Sequence, residues 1–364
     1  MDFRFSPEQD ALRSSVRSFV ANDAPIRFVR DRIDERAGVP NEMWHALTGL
    51  GWPALLVPEH LGGLGLGLID AVVVQEELGR GLFPGPFLSS AVLATRAAVE
   101  LGLDDLLRDL ASGARRGTVA IDESGHGDPI DRIGTRATGR GTSYRLDGTK
   151  TLVVDGVAAD WVLVPARTRE GLQTFLVESP TATPAETLDV TRRFATLRFD
   201  ATPALPVGPR GDHTARWRRV VDDGTVAIAA ELIGVGEAAN QLAIDYAQSR
   251  VVFDKPLSKF QVTRHKAVDM LRGVELARVG THYAAWASDA DAPDRISAVA
   301  MAKSAAAEAA NFVTAECIQV HGGVGFTWEC DAHLYLRRAK VNDMMLGAQG
   351  WHRQRVADEY LATI

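Results

Sequence analysis

The chain has 364 residues, of which 46% are hydrophobic and 24% charged, and its formal net charge is -7. This length predicts two or three domains that bury a core without disulfides or metals. Its two cysteines, Cys317 and Cys330, exclude a disulfide framework, and they lack zinc-ligand spacing with nearby histidines. We therefore expect no metal site, and we interpret both cysteines as small buried residues.

Charge and segment patterns exclude two further classes of protein. Charges of both signs are mixed along an acidic chain, which argues against a nucleic-acid partner. The locally basic stretches 136–145 and 216–219 are interpreted as solvated loops. No basic start precedes an apolar stretch, and no run of about 18 apolar residues occurs, so neither a signal peptide nor a membrane span is expected. A cytoplasmic location follows by default.

Residues 1–112 are predicted to form a helical domain. Ser6 can cap a helix that has Pro7 at its first position, and apolar residues follow at helical spacing. A second short helix is predicted over residues 41–50. A glycine-rich turn then leads into an apolar helix over residues 68–78.

Residues 113–217 are predicted to form a middle β domain, a sandwich or small barrel. Short β-prone runs cover residues 118–121, 143–146, 151–154, 161–164, 174–177 and 196–199. Turn residues separate them, among them Asp147-Gly148. Trp161 begins a fully apolar run, which predicts a central strand.

Residues 218–364 are predicted to form a C-terminal four-helix bundle. Its helices are expected near residues 225–250, 267–277, 296–320 and 331–364, the last one interrupted at Gly347 and Gly350. The first of these is apolar almost all round, as a central helix should be. Gly234 lowers helix propensity there, which indicates close packing. Gly322 follows the third helix as a C-terminal cap.

Two segments of the bundle carry a specific pattern. One runs from Arg250 to Gln261 (RVVFDKPLSKFQ), and the other from Gln319 to Phe326 (QVHGGVGF). With the order helices, β domain, bundle, they resemble the acyl-CoA dehydrogenase family over essentially the whole chain. The resemblance implies an FAD flavoprotein that acts on acyl-CoA thioesters, forms oligomers and passes electrons to an electron-transfer flavoprotein.

In that family the two segments bind the ADP half of FAD, mainly that of a neighbouring subunit. The residues implied here are Arg250, Phe253, Gln261, Gln319, His321, Gly322 and Gly323. A guanidinium suits a diphosphate, an aromatic face suits adenosine, and glycines let the backbone approach. The family usually has glycine in place of Asp254, whose carboxylate would repel a phosphate unless it turns outward.

Family catalysis also needs a carboxylate base, and here the pattern departs. Leu346 occupies the usual glutamate position, and Gly224 occupies an alternative position near the start of the first bundle helix. Asp223 and Glu231 remain as candidates, and burial is expected to raise the pKa of Glu231. Each candidate also has a structural interpretation. Asp223 could form, with Asp222, a solvated pair at the start of a helix, where the helix dipole favours negative charge. Glu231 could instead make a structural hydrogen bond.

The flavin-facing segments are altered as well. Residues 152–154 replace the family's Trp-Ile-Thr, and residues 121–125 only loosely match its Thr-Glu-Pro. This combination resembles one subunit of the heteromeric bacterial enzymes, in which one of two unlike chains supplies the base and some substrates are bulky thioesters, including sterol side-chain intermediates. Three functions stay open: a dehydrogenase in its own right, a non-catalytic cofactor-sharing subunit, or a flavin oxidase or monooxygenase on the same scaffold.

Overall fold

The computed structural model describes residues 5–35, 39–125 and 127–362. The first four and last two residues, where the predicted domains begin and end, lie outside the described residues. The N-terminal helices are α1 (Pro7–Asn22), α2 (Ile26–Arg30), α3 (Asn41–Gly49), α4 (Leu68–Arg80), a π-helix (Phe87–Ala94), α5 (Thr95–Leu101) and α6 (Asp104–Ser112). The Ser6 hydroxyl caps α1 by accepting from the Gln9 amide at 3.3 Å, which confirms the predicted start.

The middle region is a small closed barrel. Its strands are β1 (Gly117–Val119), β2 (Arg136–Arg140), β3 (Ser143–Val154), β4 (Trp161–Thr168), β5 (Gly171–Glu178), β6 (Ala182–Ala185) and β7 (Phe194–Val207). Each of β2, β3, β7, β5 and β4 pairs with the next, and β4 returns to β2 through a bridge between Arg136 and Arg167. Strand β4 contacts three neighbours and is buried from Trp161 onward, which confirms it as central.

Two loops predicted in this region are strands. Asp147-Gly148 does not separate two strands; it lies inside β3, where the pairing with β7 shifts register as a bulge. The basic stretch 136–145 forms the hairpin of β2 and β3, with its arginines on exposed positions. The local basic composition predicted a solvated loop, but basic residues also occupy the solvated positions of these strands.

The C-terminal region contains α7 (Thr214–Ser249), a short hairpin of β8 (Val251–Val252) and β9 (Lys255–Pro256), α8 (Gln261–Asp289), α9 (Arg295–His321), α10 (Ala332–Met344) and α11 (Gln349–Leu361). Helices α7, α8, α9 and α10 form the predicted bundle, and α11 packs against α9. The basic stretch 216–219 lies in the first turns of α7, not in a loop, and the predicted boundary at 217/218 falls inside that helix.

The last predicted helix is two helices, because residues 345–348 leave the helical path between α10 and α11. Gly347 allows the break with a φ of +101°, whereas Gly350 lies inside α11. Helix α7 crosses α4 closely at Gly234, where a Cβ would collide with the Glu76 carbonyl, so the predicted close packing is confirmed. None of the described helices is both long and apolar enough to cross a membrane.

Candidate functional site

The hairpin between β8 and β9 exposes an aromatic ring beside the first family-like segment. Phe253 and Asp254 form its two-residue turn, with φ of 49° and 59°. Such a turn needs positive φ at both central positions, which aspartate tolerates better than most residues. The glycine usual in the family therefore fits the backbone conformation, and Asp254 adopts it with an exposed carboxylate. Phe253 is 86% exposed at the tip.

Around this hairpin lie polar groups that no described residue satisfies. The guanidinium of Arg250 is exposed and has no hydrogen-bond or ion-pair partner within the described ranges. Gln261 opens α8 and Gln319 lies near the end of α9, both with exposed side chains. No atom comes within 4 Å of a Cβ built on Gly322 or Gly323, so a ligand can approach this backbone. We define the exposed residues Arg250, Phe253, Gln261, Gln319, Gly322 and Gly323 as the ADP-type face.

His321 differs from the other residues of these segments because its ring points inward. It is only 6% exposed, stacks on Tyr246 with 4.3 Å between ring centroids, and places Nδ1 2.8 Å from the Cys317 carbonyl oxygen. The ring therefore anchors the end of α9, just before the left-handed Gly322. Cys317 is buried and Cys330 half-buried; both are free thiols.

The two positions at which the resemblance predicts a base lie against each other. Leu346 is in the break between α10 and α11, 4% exposed and at a φ of 52° that is unfavourable for leucine. Gly224 lies within α7, and a Cβ there would come within 2.8 Å of Leu346 Cδ1 and would collide with Leu93 of the π-helix. Neither position carries a carboxylate, so leucines occupy the place of the expected proton acceptor.

Lys303 and His352 stabilise the backbone of the break between α10 and α11. The Lys303 ammonium is fully buried and lies 2.8–3.2 Å from the carbonyl oxygens of Asn342, Asp343, Met345 and Gly347. Burial lowers its pKa to about 8. His352 Nε2 lies 3.2 Å from the Leu346 carbonyl oxygen, and burial together with Lys303 and Arg355 lowers the pKa of that imidazole to about 2. A neutral histidine and a lysine thus fix the backbone that presents Leu346.

Glu231 is the centre of a buried ionic cluster. Its carboxylate accepts from Arg192, Arg338 and, at 2.7 Å, from the Gln75 side-chain amide. Arg338 also binds Asp189 at 2.6 Å. We call Glu231, Arg192, Arg338 and Asp189 the Glu231 cluster. Burial alone would raise the pKa of Glu231, but the two arginines outweigh it and lower this pKa to about 2. The expectation of a raised pKa is therefore wrong, and a carboxylate so stabilised is a weak base.

Asp223 is also engaged in ion pairs. It is fully buried within α7, 2.7 Å from Arg96 and 3.6 Å from Arg219, and it accepts from the Ser288 hydroxyl. Asp222 pairs in the same way with Arg295 and Arg355, at 2.7 and 2.8 Å. The interpretation of these two aspartates as a solvated pair at a helix start is wrong, because α7 begins eight residues earlier than Asp222, at Thr214.

One of the two segments that should face an isoalloxazine, residues 152–154, is entirely apolar. Val153 and Val154 are buried in the core, and Leu152 is 37% exposed with a φ of 51°. Asp122 contributes a carboxylate nearby, since its carbonyl accepts from the Thr151 amide at 2.8 Å. Burial raises the pKa of Asp122 to about 6, against the charges of Arg132, Lys150 and Lys303. Residues 152–154 thus lack the tryptophan and the threonine hydroxyl of the family pattern.

Lys303, Arg192 and Arg338 were missed by the sequence reasoning. A lysine inside an alanine-rich apolar helix is a usable signal for Lys303, because a buried ammonium requires acceptors. The arginines carry no such signal, since they lie 39 and 107 residues from Glu231 along the chain. Only the fold brings them together.

Comparisons with known proteins agree with this architecture. The family model for the acyl-CoA dehydrogenase N-terminal domain matches residues 6–113, and the model for the acyl-CoA dehydrogenase C-terminal domain matches residues 215–361. The acyl-CoA dehydrogenase IpdE2 of Mycobacterium tuberculosis is 34% identical over 342 residues, covering 93% of each chain.

Two solved structures are similar over nearly their whole length. A chain of the ChsE4-ChsE5 complex from Mycobacterium tuberculosis has a TM-score of 0.89 and 31% identity, with 100% of both chains covered. A chain of the Tcur3481-Tcur3483 steroid ACAD, in a variant form, has a TM-score of 0.89 and 30% identity, with 98% of both chains covered.

Proposed function

Because the chain belongs to the acyl-CoA dehydrogenase family, we propose that it is the cofactor-sharing subunit of a heteromeric enzyme and has no catalytic base of its own. Members of this family are FAD-dependent oxidoreductases that act on the CH–CH bond of an acyl-CoA thioester, and the chain is of that type. The proposed assembly pairs it with an unlike, related subunit that supplies the carboxylate.

The observation that carries this proposal is the contact between Gly224 and Leu346. Both base positions meet at one place, and both lack a carboxylate. The nearby candidates are committed elsewhere: Glu231 to two arginines, and Asp223 to Arg96 and Arg219. General base catalysis needs a carboxylate that can accept and release a proton near the operating pH. Carboxylates held by arginines meet this requirement poorly.

The ADP-type face supports the cofactor-sharing part of the proposal. Arg250 would hold the diphosphate of FAD, Phe253 would pack on the adenosine, and Gln261 and Gln319 would donate hydrogen bonds. Gly322 and Gly323 would admit the phosphates, and His321 would position them through the end of α9. When bound, FAD supplies the acceptor for the hydride. The altered residues 152–154 favour FAD whose reactive ring lies in the partner.

The substrate class is proposed from the similar structures. One is named a steroid ACAD, and another is a complex of two different chains. We therefore propose a bulky acyl-CoA thioester, such as a sterol side-chain intermediate, with an electron-transfer flavoprotein as acceptor. The exposed apolar residues Val268, Leu276 and Val279 on α8 give the bundle a surface for subunit contact.

The test is acyl-CoA-dependent bleaching of FAD, measured for the isolated chain and for the complex that co-purifies from its native host. Mass spectrometry of the complex identifies the partner chain. We expect the isolated chain to be inactive and the complex to be active, with activity abolished by replacing the partner's base glutamate. Rapid bleaching by the isolated chain would establish the alternative, a dehydrogenase in its own right.

A further inference from the structure

The N-terminus of α10 lacks the side-chain cap that its sequence offers. Asp331 occupies the N-cap position, a residue type that commonly accepts from the first-turn amides, but no such hydrogen bond forms. Its carboxylate instead accepts from Arg30 Nε of α2 at 2.6 Å. The amides of Ala332 and His333 thus have no acceptor within the described ranges. A helix N-terminus in this state carries partial positive charge and free N–H groups.

His333, in the first turn of α10, is an unusual buried histidine. The residue is only 6% exposed, and neither ring nitrogen has a hydrogen-bond partner in the described structure. The ring stacks on Trp328, with 5.0 Å between centroids, and Trp328 is half exposed. His333 belongs to the first turn of α10, and its own backbone amide is one of the two free amides. Leaving such groups unpaired is costly, so a ligand that pairs them is favoured.

Arg30 adds a further unsatisfied donor to this cluster. Its Nη2 is buried and has no partner among the described residues, while its guanidinium carbon lies 5.9 Å from the Trp328 ring centre. Arg337 lies on the next turn of α10 and donates to the Leu188 carbonyl at 3.2 Å. Burial and the charges of Arg337 and Arg30 lower the pKa of His333, with Asp331 opposing them. Glu329 is the other acidic residue near Arg30. Its carboxylate is exposed, so solvent screens its interaction with Arg30.

We propose that the uncapped N-terminus of α10, His333 and Arg30 form a binding site for an anionic oxygen group, a phosphate or a carboxylate. The free amides, the buried guanidinium nitrogen and an imidazole N–H are all donors, and helix N-termini combined with arginine are well suited to such anions. The first free amide, that of Ala332, lies nine residues after Gly323 along the chain, and none of the residues of this site is assigned to the ADP-type face. The half-exposed ring of Trp328, which stacks on His333, borders the site.

The site is testable by NMR of the full chain with ¹⁵N-labelled histidine, titrated with pH at constant ionic strength. The probe is inorganic phosphate exchanged for chloride, and His333→Gln assigns the His333 signal. We expect phosphate to raise the pH at which His333 protonates, because a bound anion stabilises the imidazolium. The exposed His265 should show no comparable shift. An unchanged His333 titration would mean that the buried donors meet only water, and it would overturn the proposal.

Arg30→Gln provides the matched variant, because it keeps His333 and the helix but removes the buried charged donor. We expect several-fold more phosphate to be needed for the same shift, in a variant whose thermal unfolding remains cooperative. An identical phosphate response in this variant would overturn the assignment of Arg30. Parallel titrations with acetate and with FAD identify the source of the anion. A response to FAD at lower concentration than to phosphate indicates the cofactor, and an equal response to acetate indicates a carboxylate.

Discussion

The ADP-type face and the Glu231 cluster are both rich in charged or polar groups, yet they are built in opposite ways. On the face, Arg250 and the two glutamines are exposed and Arg250 has no partner within the described residues. In the cluster, Glu231, Arg192 and Arg338 are buried, and each is paired with an opposite charge. On this face the groups proposed to hold a ligand are solvated and unpaired, whereas in the cluster the groups that support the fold are paired with one another.

This difference in burial and pairing separates charged residues with a structural role from those proposed to bind a ligand. Sequence alone makes Glu231 a candidate base, because a carboxylate in an apolar stretch should resist ionisation. Two arginines reverse that effect, and the Glu231 carboxylate joins α7 to α10 and to the segment before β7. The same residue types on the exposed face have no competing partner. Burial with full pairing indicates a structural role, and exposure without pairing indicates a binding role.

The largest expected effect comes from breaking the Glu231 cluster. Glu231→Gln leaves Arg192 and Arg338 buried and facing each other, and removing one member of a buried ion pair costs about 3–5 kcal/mol of unfolding free energy. Urea unfolding measures the loss. Glu237→Gln is the matched control on the same helix; its partly exposed carboxylate pairs with Arg80 and Arg278 and should matter less. Equal losses in the two variants would contradict the structural role.

How much of this could be predicted depends on the range of the interactions. The cap at Ser6, the packing of Gly234 and the C-terminal Gly322 follow from local conformational rules, and all three are confirmed. The continuous strand β3 and the closure of the barrel could not be predicted from the sequence. The Asp147-Gly148 pair is typical of a turn, and only its pairing with β7 shows that it lies inside a strand. The meeting of Gly224 and Leu346 joins residues more than a hundred positions apart.

The ADP-type face should respond through binding and not through stability. Arg250→Ala removes a charge-assisted donor worth about 1.5–3 kcal/mol, so FAD affinity of the assembled enzyme should fall at least about tenfold. Flavin content after gel filtration and direct titration measure this. Arg272→Ala is the control, since Arg272 is exposed on α8 and, among the described residues, forms an ion pair only with Asp269, at 3.3 Å. Unchanged flavin occupancy in Arg250→Ala would remove the face from the proposed cofactor site.

A smaller effect concerns pH and the break that carries Leu346. The folded pKa of His352 is lowered to about 2, below its ordinary value of 6.5, so the unfolded chain binds more protons between these pH values. Stability from this residue is therefore present above pH 6.5 and is lost as pH falls, at most about 1.4 kcal/mol per pH unit. His352→Gln should flatten this slope in urea unfolding series, whereas His265→Gln, at an exposed position, should leave it unchanged. A slope unaffected by His352→Gln would show that other groups control the acid response.

The smallest expected effect, none on turnover, is the most informative about Asp223. A residue that acts as general base usually contributes about 10² to 10⁴ in rate, so Asp223→Asn would nearly abolish turnover of the assembled enzyme if Asp223 were the base. We expect kcat instead to remain that of the unmodified complex, because Asp223 is already bound by Arg96, Arg219 and Ser288. Asp222→Asn is the matched control, since the neighbouring aspartate is equally buried and paired with Arg295 and Arg355. Both variants should lose some stability, so turnover is measured per bound flavin. A collapse of kcat confined to Asp223→Asn, with flavin retained, would identify a base in this chain and refute its role as a cofactor-sharing subunit.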